Sequence, residues 1–337
     1  MKPYTHSLGR RYREIEDDII SDPFLNDYQK ILQSKAYRRL ADKTQVISDP
    51  DNSHVRTRLT HTNEVIAISL AIADKLGLNK NLCMAIAAGH DIGHTPYGHI
   101  GEKILTEFGG KEFKHNVFSV VIAQHIERKG KGLNLTYETL EGILNHSRGA
   151  GSLFTDESLP QEYSVVMFAD KIAYTFSDLN DALRYGYLNE NKIPDCAIKL
   201  GKNQRERVKK CVEALVDESL SKDKVSFSEG KTFELFDELR KFMYEEIYFK
   251  MDWSLQEKVL YNLCEFFSSC EDIKDPIIAT SLLTDREANH FAEILFKSKK
   301  PSIDMIRNFG VFEILPYLID KEIDYTDPDL NKDDFKW

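Results

Sequence analysis

Residues 89–99 read GHDIGHTPYGH, so that His90, Asp91, His94 and His99 fall within eleven positions shared with Gly89, Gly93 and Gly98. Imidazole and carboxylate groups bind divalent metals and move protons near neutral pH. His61 precedes this stretch and Asp170 follows it. Together, His61, His90, Asp91 and Asp170 make a mixed nitrogen and oxygen donor set. Such a set suits Mn²⁺, Fe²⁺, Co²⁺, Ni²⁺, Zn²⁺ or Mg²⁺ with positions left for water and substrate, whereas a purely structural zinc site is more often closed by cysteines. Any one of these residues alone is more often a hydrogen-bonded core residue than a ligand. Their combination on three helices favours the metal. Nine of the ten histidines lie at or before position 146, which places the chemistry in the first half of the chain.

Three amphipathic segments must position these groups. In HTNEVIAISLAIADKLG, His61 precedes Val65, Ile68 and Ile72 by 4, 7 and 11 residues, so it lies on the buried face at the start of a helix. In NLCMAIAAGHDIG, Leu82 and Ile86 fall 8 and 4 residues before His90, and Gly93 and Pro96 then discourage continuation. The glycines are expected to permit a tight turn that brings His94 and His99 back toward the metal. In SVVMFADKIAYTFSDLNDALRYG, the apolar residues Val166, Ile172, Ala173, Phe176, Leu179 and Leu183 wrap most of a helix, while Asp170, Tyr174, Asp178 and Asp181 form a polar stripe. Carboxylates in such company are costly without a compensating cation.

The 337 residues, 42% hydrophobic and 11% aromatic, suffice for a substantial core. A formal net charge of −10 argues against general affinity for nucleic acid or anionic membranes. Five cysteines without a C-x-x-C pair suggest reduced thiols and a cytoplasmic location. No apolar leader or spanning segment is evident, so no membrane is expected as a partner. Helical spacing dominates, in the stripe Val65, Ile68, Ile72 and Leu76 and again in Val259, Leu263, Phe266 and Phe267; the expected fold is all-α. LNLTYETL is expected to hold a short extended piece, residues 218–231 a loop, and the acidic tail DYTDPDLNKDDFKW a frayed or surface-bound end. KLGKNQRERVKK (199–210) carries six cations and one acid; it reads first as a solvated helix face, with single-stranded DNA or an effector nucleotide as the alternative contact.

The arrangement His61, His90-Asp91, Asp170 resembles the H…HD…D signature of HD-domain metal-dependent phosphohydrolases. The surrounding words YRRLADKTQV, RTRLTH, GHDIGHTPYGHIGE, GLNLTYETLEGILNHS and ADKIAYTFSDLNDAL, spanning residues 37–183, are similar to the deoxynucleoside triphosphate triphosphohydrolases, the dGTPase-like proteins; LLTDREA, near 283–288, resembles a weaker motif of the same subfamily. The resemblance implies an all-α HD-domain multi-helix orthogonal bundle over residues 1–190, including N-terminal helices, with a helical C-terminal region over 191–337 packed on it. It implies His61, His90, Asp91 and Asp170 as metal ligands, with Mn²⁺ foremost among the candidate ions. His99 would be the catalytic histidine at the scissile phosphate, Glu102 its orienting acid, and His94 and His115 further active-site histidines. Arg58, Lys171 and Tyr174 match phosphate-contacting positions, and Gln45 and Asp178 match positions near the deoxyribose. A homo-oligomer and activation by a nucleotide are also implied. The chain departs from the family where relatives commonly read HNAQSLR and it reads HNVFSVV, with Phe118 and Val121, and where they often read HD and it has Ser177-Asp178. These changes spare the metal set and bear on substrate choice or regulation.

The implied reaction is attack of water on the α-phosphorus of a dNTP, dGTP among them, releasing deoxynucleoside and tripolyphosphate, with His99 handling the proton near the 5′ oxygen. Arg38, Arg39, Lys43, Arg56, Arg58 and Lys171 supply a basic set for the triphosphate, although Arg38, Arg39 and Lys43 are equally well read as a solvated helix face. The chain has neither G-x-x-x-x-G-K-[ST] nor G-x-G-x-x-G at the glycine-rich stretch. Two other functions fit the same residues: an HD nucleotidase or phosphodiesterase, and a catalytically silent nucleotide-binding HD regulator.

Overall fold

The computed structural model describes residues 1–14, 19–45, 52, 54–147, 156–298 and 301–337. Among these the chain is all-α: no strand is present, only two isolated antiparallel bridges, Arg10 with Thr136 and Thr44 with Thr57. The first helices are α1 (Pro23–Leu32), α2 (Lys35–Arg39), α3 (Arg58–Leu76), α4 (Lys80–Gly89) and α5 (His99–Gly109). After α6 (His115–Val121), which runs into a π-helical turn at Ile122–Ile126, come α7 (Glu127–Gly130), α8 (Tyr137–Asn145) and the long α9 (Gln161–Arg184). The remaining helices are α10 (Asp195–Leu200), α11 (Gln204–Lys222), α12 (Gly230–Glu246), α13 (Ser254–Ser268), α14 (Pro276–Ser281) and α15 (Asp285–Lys297).

Local chemistry sets the ends of the helices that matter for the site. Thr57 and Thr60 form a reciprocal capping box at the start of α3, which fixes the turn bearing Arg58 and His61, and Gly77 closes the helix at φ 66°. Asn79 caps α4 by accepting from the amides of Asn81 and Leu82. Thr136 caps α8 and Thr284 caps α15, the latter in a box with Glu287.

Helix α3 packs against α4 and α9, and α1 and α8 cover α4 from its other sides. Val65, Ile72, Leu82, Ile86, Ile172, Phe176 and Leu179 are completely buried where these helices meet. Helix α11 lies on α3 and α9, α12 on α9, and α13 and α14 on α5. The stripe Val259, Leu263 and Phe267 is buried, and Phe266 packs partly buried at its edge.

Three local expectations are refined. The extended piece in LNLTYETL is a single bridge at Thr136, because capping by that residue starts α8 at once. The predicted loop 218–231 is shorter: α11 continues to Lys222 and α12 begins at Gly230. Glu218 sits within α11 and gathers the amide of Ser228 and the hydroxyls of Ser226 and Ser228, so its polar surroundings signal a folded-back turn rather than a long loop. The tail is surface-bound: the backbone of Lys336 and Trp337 pairs with Arg10, and Tyr325 and Phe335 are buried. In the basic segment, Arg207 is buried and its Nε donates to the carbonyls of Ala197 and Gly201, closing the end of α10. No described helix is long and apolar enough to cross a membrane.

Candidate active site

His61 at the start of α3, His90 just past the end of α4 and Asp170 in the middle of α9 converge in the core. His61 Nε2 lies 3.0 Å from Asp170 Oδ1, and His90 Nε2 lies 3.9 Å from the same oxygen. These three residues bring ligand-capable atoms within 4.8 Å of one another. Asp91 joins from the next position, its Oδ1 3.3 Å from His90 Nε2. The ring of His90 is held by an Nδ1–H donated to the Ala87 carbonyl at 2.7 Å, which leaves Nε2 as a bare lone pair aimed at the carboxylates. That Nε2 is buried and forms no hydrogen bond among the described residues. A buried, unpaired imidazole nitrogen facing two carboxylates fits a divalent cation.

The electrostatics point the same way. Burial pushes the Asp170 carboxyl up, but the His61 hydrogen bond and charge outweigh it and hold the group below its ordinary range. Burial opposes ionisation of Asp91 too, yet His90, His94 and Arg58 hold its carboxyl well below the usual carboxylate range. Arg58 Nη1 donates to Asp91 Oδ2 at 2.8 Å. The carboxylates are therefore ionised and the pocket is ready to accept positive charge.

Glu102, on the first turn of α5, is the second focus. Its Oε1 lies 3.0 Å from His99 Nδ1, 2.9 Å from His115 Nδ1 and 3.3 Å from His94 Nδ1. Despite burial, His115 and His99 keep it well below its ordinary pKa. The His99 side chain is 78% exposed whereas Glu102 is 14% exposed, so a buried acid orients an imidazole that faces outward. His94 stacks on His115 with ring centroids 3.8 Å apart, and burial together with Arg58 and His115 lowers its pKa to about 3. It is a neutral imidazole whose Nε2 lies 3.2 Å from Asp91 Oδ1.

The loop between α4 and α5 makes this possible. A Cβ on Gly93 would lie 2.2 Å from the Ser119 amide nitrogen and 2.4 Å from the His115 carbonyl, so only glycine lets the loop touch the α6 backbone. Tyr97 and Gly98 then adopt positive φ of 59° and 60°, turning the chain into α5 so that His99 begins it. The turn is held from the C-terminal half: Asp285, at the start of α15, accepts from the Tyr97 amide and from the amide and hydroxyl of Thr44.

Other predicted residues are placed as follows. Lys171 is buried beside Asp170. Tyr174 is hydrogen-bonded to Arg240 of α12, and burial raises its pKa. Asp178 accepts a 2.7 Å hydrogen bond from the hydroxyl of Tyr248, and burial raises its pKa to about 7. Gln45 is half-buried with an Oε1 that accepts no hydrogen bond among the described residues. The basic set is corrected at two positions. Arg56 is engaged by Glu64, Asp181 and Gln204, so it neutralises the lower end of the acidic stripe on α9 instead of waiting for phosphate. Lys43 is completely buried and donates to the carbonyls of His94 and Ser281, which makes it a support of the loop and excludes the solvated face as well. Arg38 is exposed, and Arg39 is half-buried 3.9 Å from Glu127. Phe118 and Val121 are completely buried, with Phe118 packed on Phe113 at 5.0 Å, so these departures fill the core behind the loop.

Sequence reasoning missed His146, Tyr248 and Arg240. His146 ends α8 as His90 ends α4, with Nδ1 donating to the Ile143 carbonyl three residues back, and its ring centroid lies 5.0 Å from that of His90. The word ILNHS carried the signal, an apolar helix finishing on histidine. Tyr248 and Arg240 lie far along the chain with no motif around them, and only the packing of α12 on α9 brings them to Asp178 and Tyr174.

The helical core and its histidine and aspartate cluster are those of an HD domain, and the HD domain family matches residues 58–175. The chain is 39% identical over 268 residues to a deoxyguanosinetriphosphate triphosphohydrolase-like protein of Clostridium tetani, covering 77% of this chain and 76% of that one. Proteins of the same name from Caldanaerobacter subterraneus subsp. tengcongensis and Clostridium perfringens strain 13 are 40% identical over 79% of both chains and 44% identical over 72% and 71% of the two chains. A solved structure of a hypothetical protein from Aquifex aeolicus aligns over 85% of this chain and 71% of its own with a TM-score of 0.47 and 18% identity. The chain belongs to the deoxyguanosinetriphosphate triphosphohydrolase-like family of HD-domain proteins. HD domains are metal-dependent, and this one has the histidine and aspartate groups that can hold an ion.

Proposed function

We propose that the chain is a metal-dependent deoxynucleoside triphosphate triphosphohydrolase, with dGTP among its substrates, that cleaves at the α-phosphate to release deoxynucleoside and tripolyphosphate. The observation that carries this reading is the adjacency of two foci: a buried His61, His90 and Asp170 cluster, and an outward-facing His99 held by Glu102.

His61, His90, Asp91 and Asp170 would hold the divalent ion, with Mn²⁺ the first choice. When bound, it supplies charge neutralisation at phosphoryl oxygen and a lowered pKa for water. His99 faces the substrate with its Nδ1 fixed by Glu102, so Nε2 is the atom that exchanges a proton with the 5′ oxygen as the bond between that oxygen and the α-phosphorus breaks. Arg58 orients Asp91 through Nη1, and its buried Nε, unpartnered among the described residues, is the donor left for a phosphate oxygen. Lys171 and Tyr174 would meet the phosphates, and Asp178 and Gln45 the deoxyribose. Five unpaired cysteines fit a reducing, cytoplasmic setting.

Phosphorus NMR of the products from each of the four dNTPs, with GTP as a ribose control, tests the reaction. Tripolyphosphate is the expected product. Orthophosphate or pyrophosphate would replace this reading with another HD hydrolase, and absence of turnover with every metal and nucleotide would replace it with a regulator. His99→Ala should lower turnover by about 10²- to 10⁴-fold while metal content is retained; full turnover in that variant would remove His99 from the proposal.

A further inference from the structure

Six non-glycine residues among the described ones have positive φ, and Tyr97, at 59°, is the only one of the six that is buried. An aromatic residue in the left-handed region is strained, and it keeps that conformation only where its surroundings impose it. Two holds on Tyr97 come from α15, 188 and 192 positions further along the chain. The Tyr97 amide donates to Asp285 Oδ1 at 3.0 Å, and the Tyr97 hydroxyl donates to Asn289 Oδ1 at 2.6 Å. Asp285 and Asn289 are one helical turn apart, so a single face of α15 grips both the backbone and the ring.

Asp285 is itself fixed. It is buried, and its Oδ2 accepts from the amide of Thr44 at 3.2 Å and from the hydroxyl of the same residue. The other end of the turn is pinned from the same quarter, because the buried Lys43 donates to the carbonyl of His94 and, at 3.1 Å, to that of Ser281 at the end of α14. These holds matter because α5 has no side-chain cap of its own. Its N-cap position is Gly98, which offers nothing to accept from the first amides of the helix. The body of α5 is packed by α13 and α14. What the clamp on Tyr97 secures is therefore the first turn, the one that bears His99.

We propose that Asp285 and Asn289 are positioning residues for hydrolysis: by holding Tyr97 in the left-handed conformation they fix the first turn of α5 and with it the direction of His99. They act through Tyr97 and not on the substrate, so the C-terminal region is a working part of the catalytic loop. The proposal rests on the reading of His99 as the residue that gives the leaving 5′ oxygen its proton.

Crystal structures of full-length Asp285→Ala and Asn289→Ala test the clamp without reference to activity. Tyr97 is expected to leave positive φ, and His99 Nδ1 to leave Glu102 Oε1, which lies 3.0 Å away in the wild type. A Tyr97 still near φ 59° with His99 still on Glu102 in both variants would overturn the proposal. Asn289 is half-buried and alanine favours a helix, so Asn289→Ala decides the matter even where Asp285→Ala does not fold. Kinetics separate positioning from general damage. With dGTP, kcat of each variant is expected to fall by about 10²-fold at unchanged KM and metal content. With dGTP carrying sulfur in place of the 5′ oxygen, the leaving group is a thiolate, whose thiol ionises at a pKa of about 8.5 and which departs without a proton, so the loss is expected to vanish. An equal loss on both substrates would overturn the positioning role. Wild-type protein that released no tripolyphosphate would remove the triphosphohydrolase reading, while the crystal structures would still decide whether α15 holds the turn.

Discussion

Glu102 serves three imidazoles at once, those of His94, His99 and His115, through one oxygen. Replacing it by glutamine keeps the shape but removes the charge that orients His99, and supporting residues of this kind are worth about 10- to 100-fold. Glu102→Gln is therefore expected to lower kcat for dNTP hydrolysis by that factor with little change in KM; an unchanged kcat in steady-state assays would release Glu102 from this role. Asp178 makes a second prediction at this scale. Its folded pKa is raised to about 7, first by burial, so the folded state binds its proton more tightly than the unfolded chain does. The sign follows: the stability this proton confers is fully present below the unfolded carboxyl pKa of about 3.9 and is lost as pH rises to about 7. Asp178→Asn, which is neutral throughout, should gain stability relative to the wild type over that window, by at most about 4 kcal/mol. Chemical denaturation at several pH values checks this, and a pH-independent difference would show that the carboxyl titrates normally. The residue types at both foci were legible in the sequence because histidine and aspartate at helix ends among apolar neighbours are conspicuous. Arg56 and Lys43 were misread because a cation's partners are not written beside it.

At the scale of elements, the site depends on how closely the α4–α5 loop can approach α6. Gly93 is the contact point, and a methyl group there meets backbone atoms that have nowhere to move. Gly93→Ala should cost about 1–3 kcal/mol or more by overpacking and should displace His94 together with the start of α5. Thermal unfolding and metal affinity should fall together. A variant with wild-type Tm would mean that the loop relaxes freely. The glycine and proline punctuation of GHDIGHTPYGH announced a turn, and the caps at Thr57, Asn79 and Thr136 sit where the sequence has the residue types that favour caps. The part played by LLTDREA was not legible as chemistry, because Asp285 acts through the amide of Tyr97 and the amide and hydroxyl of Thr44, residues 188 and 241 positions away.

Across the whole molecule, the core encloses the like-charged carboxylates of Asp91 and Asp170 beside the unpartnered Nε2 of His90, groups that a bound cation would draw together. Removing metal should therefore destabilise the fold as well as abolish turnover. A ligand at about a hundred times its Kd contributes roughly 2.7 kcal/mol, so chelation should lower Tm by several degrees and added Mn²⁺ should restore it in a scanning calorimetry trace. An unchanged Tm would mean that the cluster is stable without an ion. The sequence by itself determined the all-α class, through the 3.6-residue spacing of its apolar positions, and it determined the two ends and the middle of three helices where His61, His90 and Asp170 reside. Those signals are local: a cap, a stop and a stripe are each read within one or two turns. The tertiary structure alone decided which groups share a carboxylate, that Asp285 and Asn289 reach Tyr97, and that Tyr248 and Arg240 reach α9. Such pairings join residues far apart in the chain, and their distances are set by the packing of whole helices rather than by spacing along any one of them.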